Sequence, residues 1–318
     1  MDKLVLHVLR GNWTRDGAGV KLYRVFGGPD SAEITDPFLL LDHFGSRYPH
    51  EYLMGFPWHP HRGIETVTYL LKGEVHHRDS TGVEGVIRSG DKDDGKPHPS
   101  RRGGGQVQWM TAGSGIFHEE MPRPAKMRIS NSEIEDPEVS GFQLWVNLPS
   151  NHKMTVPKYR NLLRSHVPMV DLGSAEVTII AGTIKAPGYG VVEGPINDLI
   201  IPVVYLDVQV LEDGGFTYEV KDGFTTLAYV VSGSAVFDSR GREASAGDLV
   251  VFSREGGRVM VKSSGKPARF LLLSGKPIEE PIAWYGPIVM NTWDEISKAF
   301  EELRNGEFIK HGAVVKDY

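Results

Sequence analysis

The 318-residue sequence predicts an all-β protein made of two copies of one barrel-like fold in tandem, with a short helix near the C-terminus. Three observations predict it. Short β-rich runs bounded by Gly, Asp and Pro recur along the whole chain, which is the pattern of barrels and sandwiches. One strand–turn–strand pattern occurs twice. Helical periodicity is well marked in only one place.

In the first half the candidate strands are Val20–Phe26, Glu65–Leu71, Gly73–Arg78, Val107–Thr111 and Phe142–Leu148. In the second half they are Val177–Ala181, Val203–Val210, Leu227–Val231, Ser234–Phe237, Leu249–Phe252, Arg258–Val261 and Arg269–Leu273. Each is rich in β-branched or aromatic residues and ends at turn-forming residues. The helix is expected near 292–305. Thr292 and Glu295 stand in capping-box relation, Trp293, Ile296, Phe300 and Leu303 recur near helical spacing, and Gly306 is a natural stop. This helix is expected to pack on the second domain or at its edge.

The repeat pairs Tyr69-Leu70-Leu71-Lys72-Gly73-Glu74-Val75 with Tyr229-Val230-Val231-Ser232-Gly233-Ser234-Ala235-Val236, about 160 residues apart. Each copy is followed by a Gly-Asp pair, Gly90-Asp91 and Gly247-Asp248. Pro149 to Pro157 reads as a linker, so the domains are expected at 1–157 and 158–318. The copies differ chemically. The repeat offset carries His59 onto Glu219, His61 onto Lys221 and Glu65 onto Thr225, and no histidine occurs between His166 and His311. Only the first half can build an imidazole-rich site.

Composition narrows the function. A net charge of −6 argues against direct nucleic-acid binding through a basic surface. The absence of cysteine excludes disulfides, thiolate metal sites and cysteine nucleophiles, so any metal is held by nitrogen and oxygen. No apolar run suits a signal peptide or a bilayer-crossing segment, and a cytoplasmic protein without membrane contact is expected.

Gly55-Phe56-Pro57-Trp58-His59-Pro60-His61-Arg62-Gly63-Ile64-Glu65 carries the chemistry. Two histidines one residue apart on a strand share a face, and paired imidazoles are the start of a transition-metal site. His118 and Glu120 repeat the same spacing just after Gly113-Ser114-Gly115. The two pairs supply three imidazoles and a carboxylate, a set suited to non-haem iron or manganese with open positions left. Glu65 is the competing carboxylate, four residues beyond His61 and of the same parity. His76 and His77 read as a strand exit with one ring exposed. His7, His43, His50, His98, His152, His166 and His311 have no partner pattern.

With these residues in hand, Gly55–Leu71 and Gln108–Met121 resemble the signature motifs of the pirin family of the cupin superfamily. Gln143–Leu148 and Gly286–Thr292 extend the resemblance over nearly the whole chain. It implies a bicupin: two double-stranded β-helix (jelly-roll) barrels, with iron in the N-terminal one and none in the degenerate C-terminal one. It places the ligands on His59, His61, His118 and Glu120, and leaves Glu65 to support them by hydrogen bonding. It also implies a quercetin 2,3-dioxygenase-like activity using Fe(II), other divalent transition metals being alternatives. A flavonol and O2 would be the substrates, Glu120 the possible base, and ring opening would release carbon monoxide. Phe56, Phe117, Met110 and Leu144 are candidates for the pocket wall. Some relatives instead act as iron-dependent regulators through protein contacts without turnover, and the fold does not choose between these roles.

Trp58 stands where a smaller or polar residue is expected for the family, and by alternation it should point away from the metal. The insertion Lys92–Gln106 is polar and glycine-rich, read as a disordered surface loop with a lid over the pocket as the sharper alternative.

Overall fold

The computed structural model describes residues 1–89, 105–129 and 132–317. All of the insertion except Gly105 and Gln106, and with it the lid expectation, lies outside the described residues. So does the Gly90-Asp91 pair. The chain forms two compact units, neither of them a continuous length of sequence. One comprises Met1–Asn12, Ala32–Pro37 and His166–Pro277, and the other Trp13–Ser31, Phe38–Ser165 and Ile278–Tyr318. The sequence-based division was a single cut after 157. Short strands at the N-terminus and the C-terminal 278–318 segment each join a unit formed mainly by distant sequence, a pairing that local sequence does not encode.

The first unit pairs a seven-stranded sheet with a four-stranded one. The smaller sheet runs Gly215–Glu219, Arg258–Ser263, Ser234–Val236, Glu243–Ser245. Its interior is apolar, built on Leu206, Val208, Phe216, Phe237, Phe270 and Leu272. Phe237 and Phe270 meet edge to face at 5.4 Å. Glu219 and Lys221, which stand at the repeat positions of the two histidines, are exposed.

The second unit repeats this plan. Its four-stranded sheet runs Phe56–His61, Ile116–Arg123, Glu74–Asp79, Glu84–Arg88, the same order as in the first unit. The hairpin glycines correspond as well. Gly73 and Gly233 have φ of 83° and 74°, and an added Cβ would lie 2.7 Å from the Val139 side chain or 2.3 Å from the Pro267 carbonyl oxygen. Facing the small sheet is an eight-stranded one. It contains, in order, Asn12–Asp16, Val20–Gly27, Phe38–Ser46, Val139–Asn147, Ile64–Lys72, Val107–Thr111, Lys158–Leu162 and Val314–Asp317. The last pair is parallel.

The helix spans Trp293–Asn305, with the Thr292–Glu295 capping box formed and Gly306 left-handed at its end. It belongs to the unit built mainly on Phe38–Ser165, not to the C-terminal domain on which the sequence suggested it would pack, and there Ile296 and Ala299 pack with Ala283, Ile288, Met290 and Phe308. Trp293, expected on the apolar stripe, is 62% exposed. The buried face follows Ile296, Ala299 and Leu303, and the first helical residue falls off it.

Candidate metal centre

Phe56–His61 is an edge strand of the small sheet, which is why it tolerates Pro57 and Pro60 without breaking a ladder. His59 lies directly opposite His118 on the Ile116–Arg123 strand. The register then slips by one residue, so that Glu120 faces Phe56. A bulge beside a site re-aims the side chains next to it.

The three imidazoles converge. Their donor nitrogens lie within 4.8 Å of one another. The His59 and His61 Nε2 atoms are 3.1 Å apart, while the Nδ1 atoms face the carbonyl oxygens of Pro57 at 2.8 Å and Pro287 at 3.1 Å. Those carbonyls fix the protons on Nδ1 and leave both Nε2 lone pairs turned toward the cluster. Two lone pairs at that separation repel unless a cation lies between them. His118 is 2% exposed, and neither of its ring nitrogens has a hydrogen-bond partner. Orphaned buried nitrogen is costly in a folded protein, and a bound metal ion resolves it. Burial holds all three rings below their ordinary pKa, His61 and His118 well below it. Neutral imidazole is the ligating form, so the residues fit a divalent transition metal.

Glu120 stands beside this triad. Its Oε2 is 4.0 Å from His118 Nε2, and its Oε1 accepts a hydrogen bond from Thr68 Oγ1 at 2.9 Å. Gln143 approaches from the same side, with its Oε1 2.7 Å from the Thr68 hydroxyl. Burial pushes the Glu120 carboxyl up to about 7 against the opposing effect of the Thr68 hydroxyl.

Glu65 does not support the histidines in the way the sequence suggested. In the ladder it lies opposite Thr111, and two residues along Val67 lies opposite Trp109. Thr68 and Gln108 form the pair on the other face, toward the site. Glu65 is fully buried and accepts from Trp109 Nε1 at 3.0 Å and Thr111 Oγ1 at 2.6 Å, with Arg160 4.0 Å away. The strand begins at Ile64, so the turn at Arg62-Gly63 breaks the parity that linked Glu65 to the histidines.

A cavity of about 530 Å³ opens onto His59, His61 and Glu120. Leu22, Leu40, Phe44, Phe56, Trp145 and Trp284 provide much of its apolar wall. Of the four wall residues expected from sequence, only Phe56 lines it. Leu144 pairs with Val67 on the far face of the sheet, Met110 is core, and Phe117 packs edge to face on Phe308 at 5.5 Å. Trp145, which sequence reasoning missed, meets the His61 ring edge-on at 5.0 Å and Trp284 at 5.9 Å. Its position two residues after Gln143 on one strand was the available signal. Trp58 is 45% exposed with the Arg78 guanidinium 5.5 Å from its ring, pointing outward as alternation required. His76 is exposed and paired with Glu74, while His77 is buried against Gln108 and Tyr159 and pushed down to about 4 by burial.

Family comparison agrees with this architecture. The Pirin family model matches residues 19–94 and 92–146, and the model of the pirin C-terminal cupin domain matches 205–309. The chain belongs to the pirin family. A pirin-like protein of Caulobacter vibrioides is 38% identical over 305 residues, covering 96% of this chain and 98% of that one. The crystal structure of a quercetin 2,3-dioxygenase from Acinetobacter baumannii superposes with a TM-score of 0.80 at 31% identity, covering 97% and 99% of the two chains. A bacterial pirin from Escherichia coli, solved in complex with nickel(II), shares the fold at a TM-score of 0.59 and 17% identity, over 85% of this chain and 99% of that one. Within this pirin, the compact His/Asp/Glu cluster among the described residues is His59, His61 and His118.

Proposed function

We propose that this pirin is an Fe(II)-dependent dioxygenase that opens flavonols of the quercetin type. His59, His61, His118 and Glu120 hold the metal, and the C-terminal cupin holds none. The observation that carries the reading is the convergence of three neutral, buried imidazoles at a largely apolar cavity of about 530 Å³, a volume in the range of small-molecule sites. Similarity to the Acinetobacter protein supports the substrate class.

Bound iron would act as a Lewis acid toward the substrate's hydroxyl and carbonyl oxygens and give O2 access to an open position. The protein's own contributions are orientation, water exclusion and proton transfer. Trp145, Trp284 and Phe56 offer flat apolar surfaces to an aromatic ring system and displace water from around it. The Pro57 and Pro287 carbonyls keep the imidazoles aimed, and Thr68 with Gln143 holds the Glu120 carboxyl in place. Glu120, on loosening from the metal, would take the proton of the flavonol hydroxyl.

Iron-loaded protein given quercetin is expected to consume oxygen and release carbon monoxide. Absence of turnover across a panel of flavonols, together with capture of a protein partner that depends on iron oxidation state, would replace this reading with a regulatory one.

A further inference from the structure

Among the described residues the cavity is lined by one charged cluster besides the proposed metal-binding set, and the reaction as described makes no use of it. Arg24 on the Val20–Gly27 strand faces Asp42 on the Phe38–Ser46 strand, and both line the cavity together with Asp16. Arg24 Nε donates to Asp42 Oδ1 at 2.9 Å, and its Nη2 donates to Asp42 Oδ2 and to Asp16 Oδ2, each at 2.8 Å. Nη1 makes no hydrogen bond among the described residues, so two N–H groups of a permanent cation remain uncommitted. Asp42 is 6% exposed, and each of its oxygens accepts one hydrogen bond from Arg24 and keeps acceptor capacity. The cluster therefore offers both donors and acceptors at the edge of an otherwise apolar wall.

We propose that Arg24, Asp42 and Asp16 form a recognition subsite for ring hydroxyls, which selects a polyhydroxylated aromatic substrate over an unsubstituted one. A phenolic hydroxyl both donates and accepts. Two on neighbouring carbons can meet the cluster at once, one oxygen accepting from Arg24 Nη1 and the other donating to a carboxylate. The two carboxylates outnumber the single guanidinium, so the cluster disfavours an anionic substituent and favours a neutral donor. Position reinforces the argument. Asp42 stands directly opposite Gln143, and Gln143 directly opposite Thr68, so the subsite and the Glu120 anchor lie in one cross-strand row on the site-facing side of the sheet.

The proposal rests on the flavonol reading and deepens it by naming which flavonols are preferred. The test is anaerobic binding of quercetin and of 3-hydroxyflavone, which has no outer-ring hydroxyls, followed by the shift of the ligand absorption band in iron-loaded protein. Wild-type protein is expected to bind quercetin at least about tenfold more tightly than 3-hydroxyflavone. Arg24→Lys keeps an ion pair with Asp42 but removes the guanidinium fork. It should abolish most of that preference and leave 3-hydroxyflavone affinity within about twofold of wild type. Equal weakening of both ligands, or no change in either, overturns the subsite. Equal wild-type affinity for the two flavonols also overturns it while leaving the flavonol reading intact, and needs no variant to fold. Binding of neither ligand to wild-type protein overturns the flavonol reading and the subsite with it.

Discussion

Replacing Glu65 by glutamine separates its structural role from support of the metal. The volume is unchanged, but the site requires an acceptor at both oxygens. Trp109 Nε1 can only donate, at 3.0 Å, so the amide oxygen must turn to the indole. The amide NH2 then faces Thr111 Oγ1, which sits 2.6 Å away and already accepts from Arg160 Nη1 at 3.0 Å. One charge-assisted hydrogen bond is lost, at a cost of about 1.5–3 kcal/mol. Arg160 also loses its charge partner 4.0 Å away, in surroundings where both side chains are almost fully buried. The total is about 3 kcal/mol, which lowers the melting temperature of a unit this size by roughly 6–12 °C. Thermal melting followed by near-ultraviolet circular dichroism measures this, and metal analysis of the same sample measures iron per chain. The expected result is a large loss of stability with unchanged iron stoichiometry. Unchanged melting with lost iron would refute the assignment and restore Glu65 to the support of the histidines.

Other perturbations distinguish the remaining roles. His118→Ala should abolish or greatly weaken metal binding, measured as iron per chain after dialysis; stoichiometric retention would remove His118 from the ligand set. Trp58→Ala should leave iron content and flavonol binding unchanged, because the ring is exposed against Arg78 and directed away from the histidine cluster. Thr292→Ala removes the helix cap and should cost about 1 kcal/mol, read from the urea midpoint. Lys153 is buried with its amine against the Gly63 and Val289 carbonyls and Asn147 Oδ1, and burial pushes it down to about 7 from 10.5. The folded state therefore binds fewer protons than the unfolded chain between those values. Stability should fall as pH drops from about 10.5 to about 7, by an amount on the order of a few kcal/mol, and level off below. Urea titrations of Lys153→Met should show this slope reduced; an unchanged slope would place its source elsewhere.

The parts of the fold that depend on local sequence were legible. His59-Pro60-His61 and His118-x-Glu120 each announce shared-face pairs because strand alternation is a two-residue rule, and the Thr292 cap announces the helix start within one turn. Glu65 was misplaced because parity was carried across the Arg62-Gly63 turn, where the strand ends and another begins at Ile64. The pocket wall was misjudged for a related reason. Leu144 looks as apolar as its neighbour Trp145, and only the register of the sheet decides which face each occupies; Met110 shares the face of Trp145, both standing opposite Thr66, but is core outside the cavity. Unit membership was illegible at the ends of the chain, since Val5–Arg10 pairs with Asp248–Phe252 and Val314–Asp317 with Lys158–Leu162.

The same limit explains why the charged part of the pocket left no trace in sequence. Arg24, Asp42, Gln143, Thr68, Gln108 and Asn161 are consecutive cross-strand neighbours on six adjacent strands, one polar residue from each. Arg24, Asp42 and Asn161 fall in none of the motifs, and although Thr68, Gln108 and Gln143 lie within them, nothing local in the chain links one member of the row to the next. Together they form a row with Glu120 hydrogen-bonded at Thr68, His77 at Gln108, and Asp16 at Arg24. Buried polar groups require partners, so a row of this kind constrains its members jointly: changing Gln143 alters what Thr68 can offer Glu120. The histidines mark a candidate metal centre because their chemistry is local. The groups that hold the carboxylate and line the rest of the cavity are set by register, which is a property of the folded sheet.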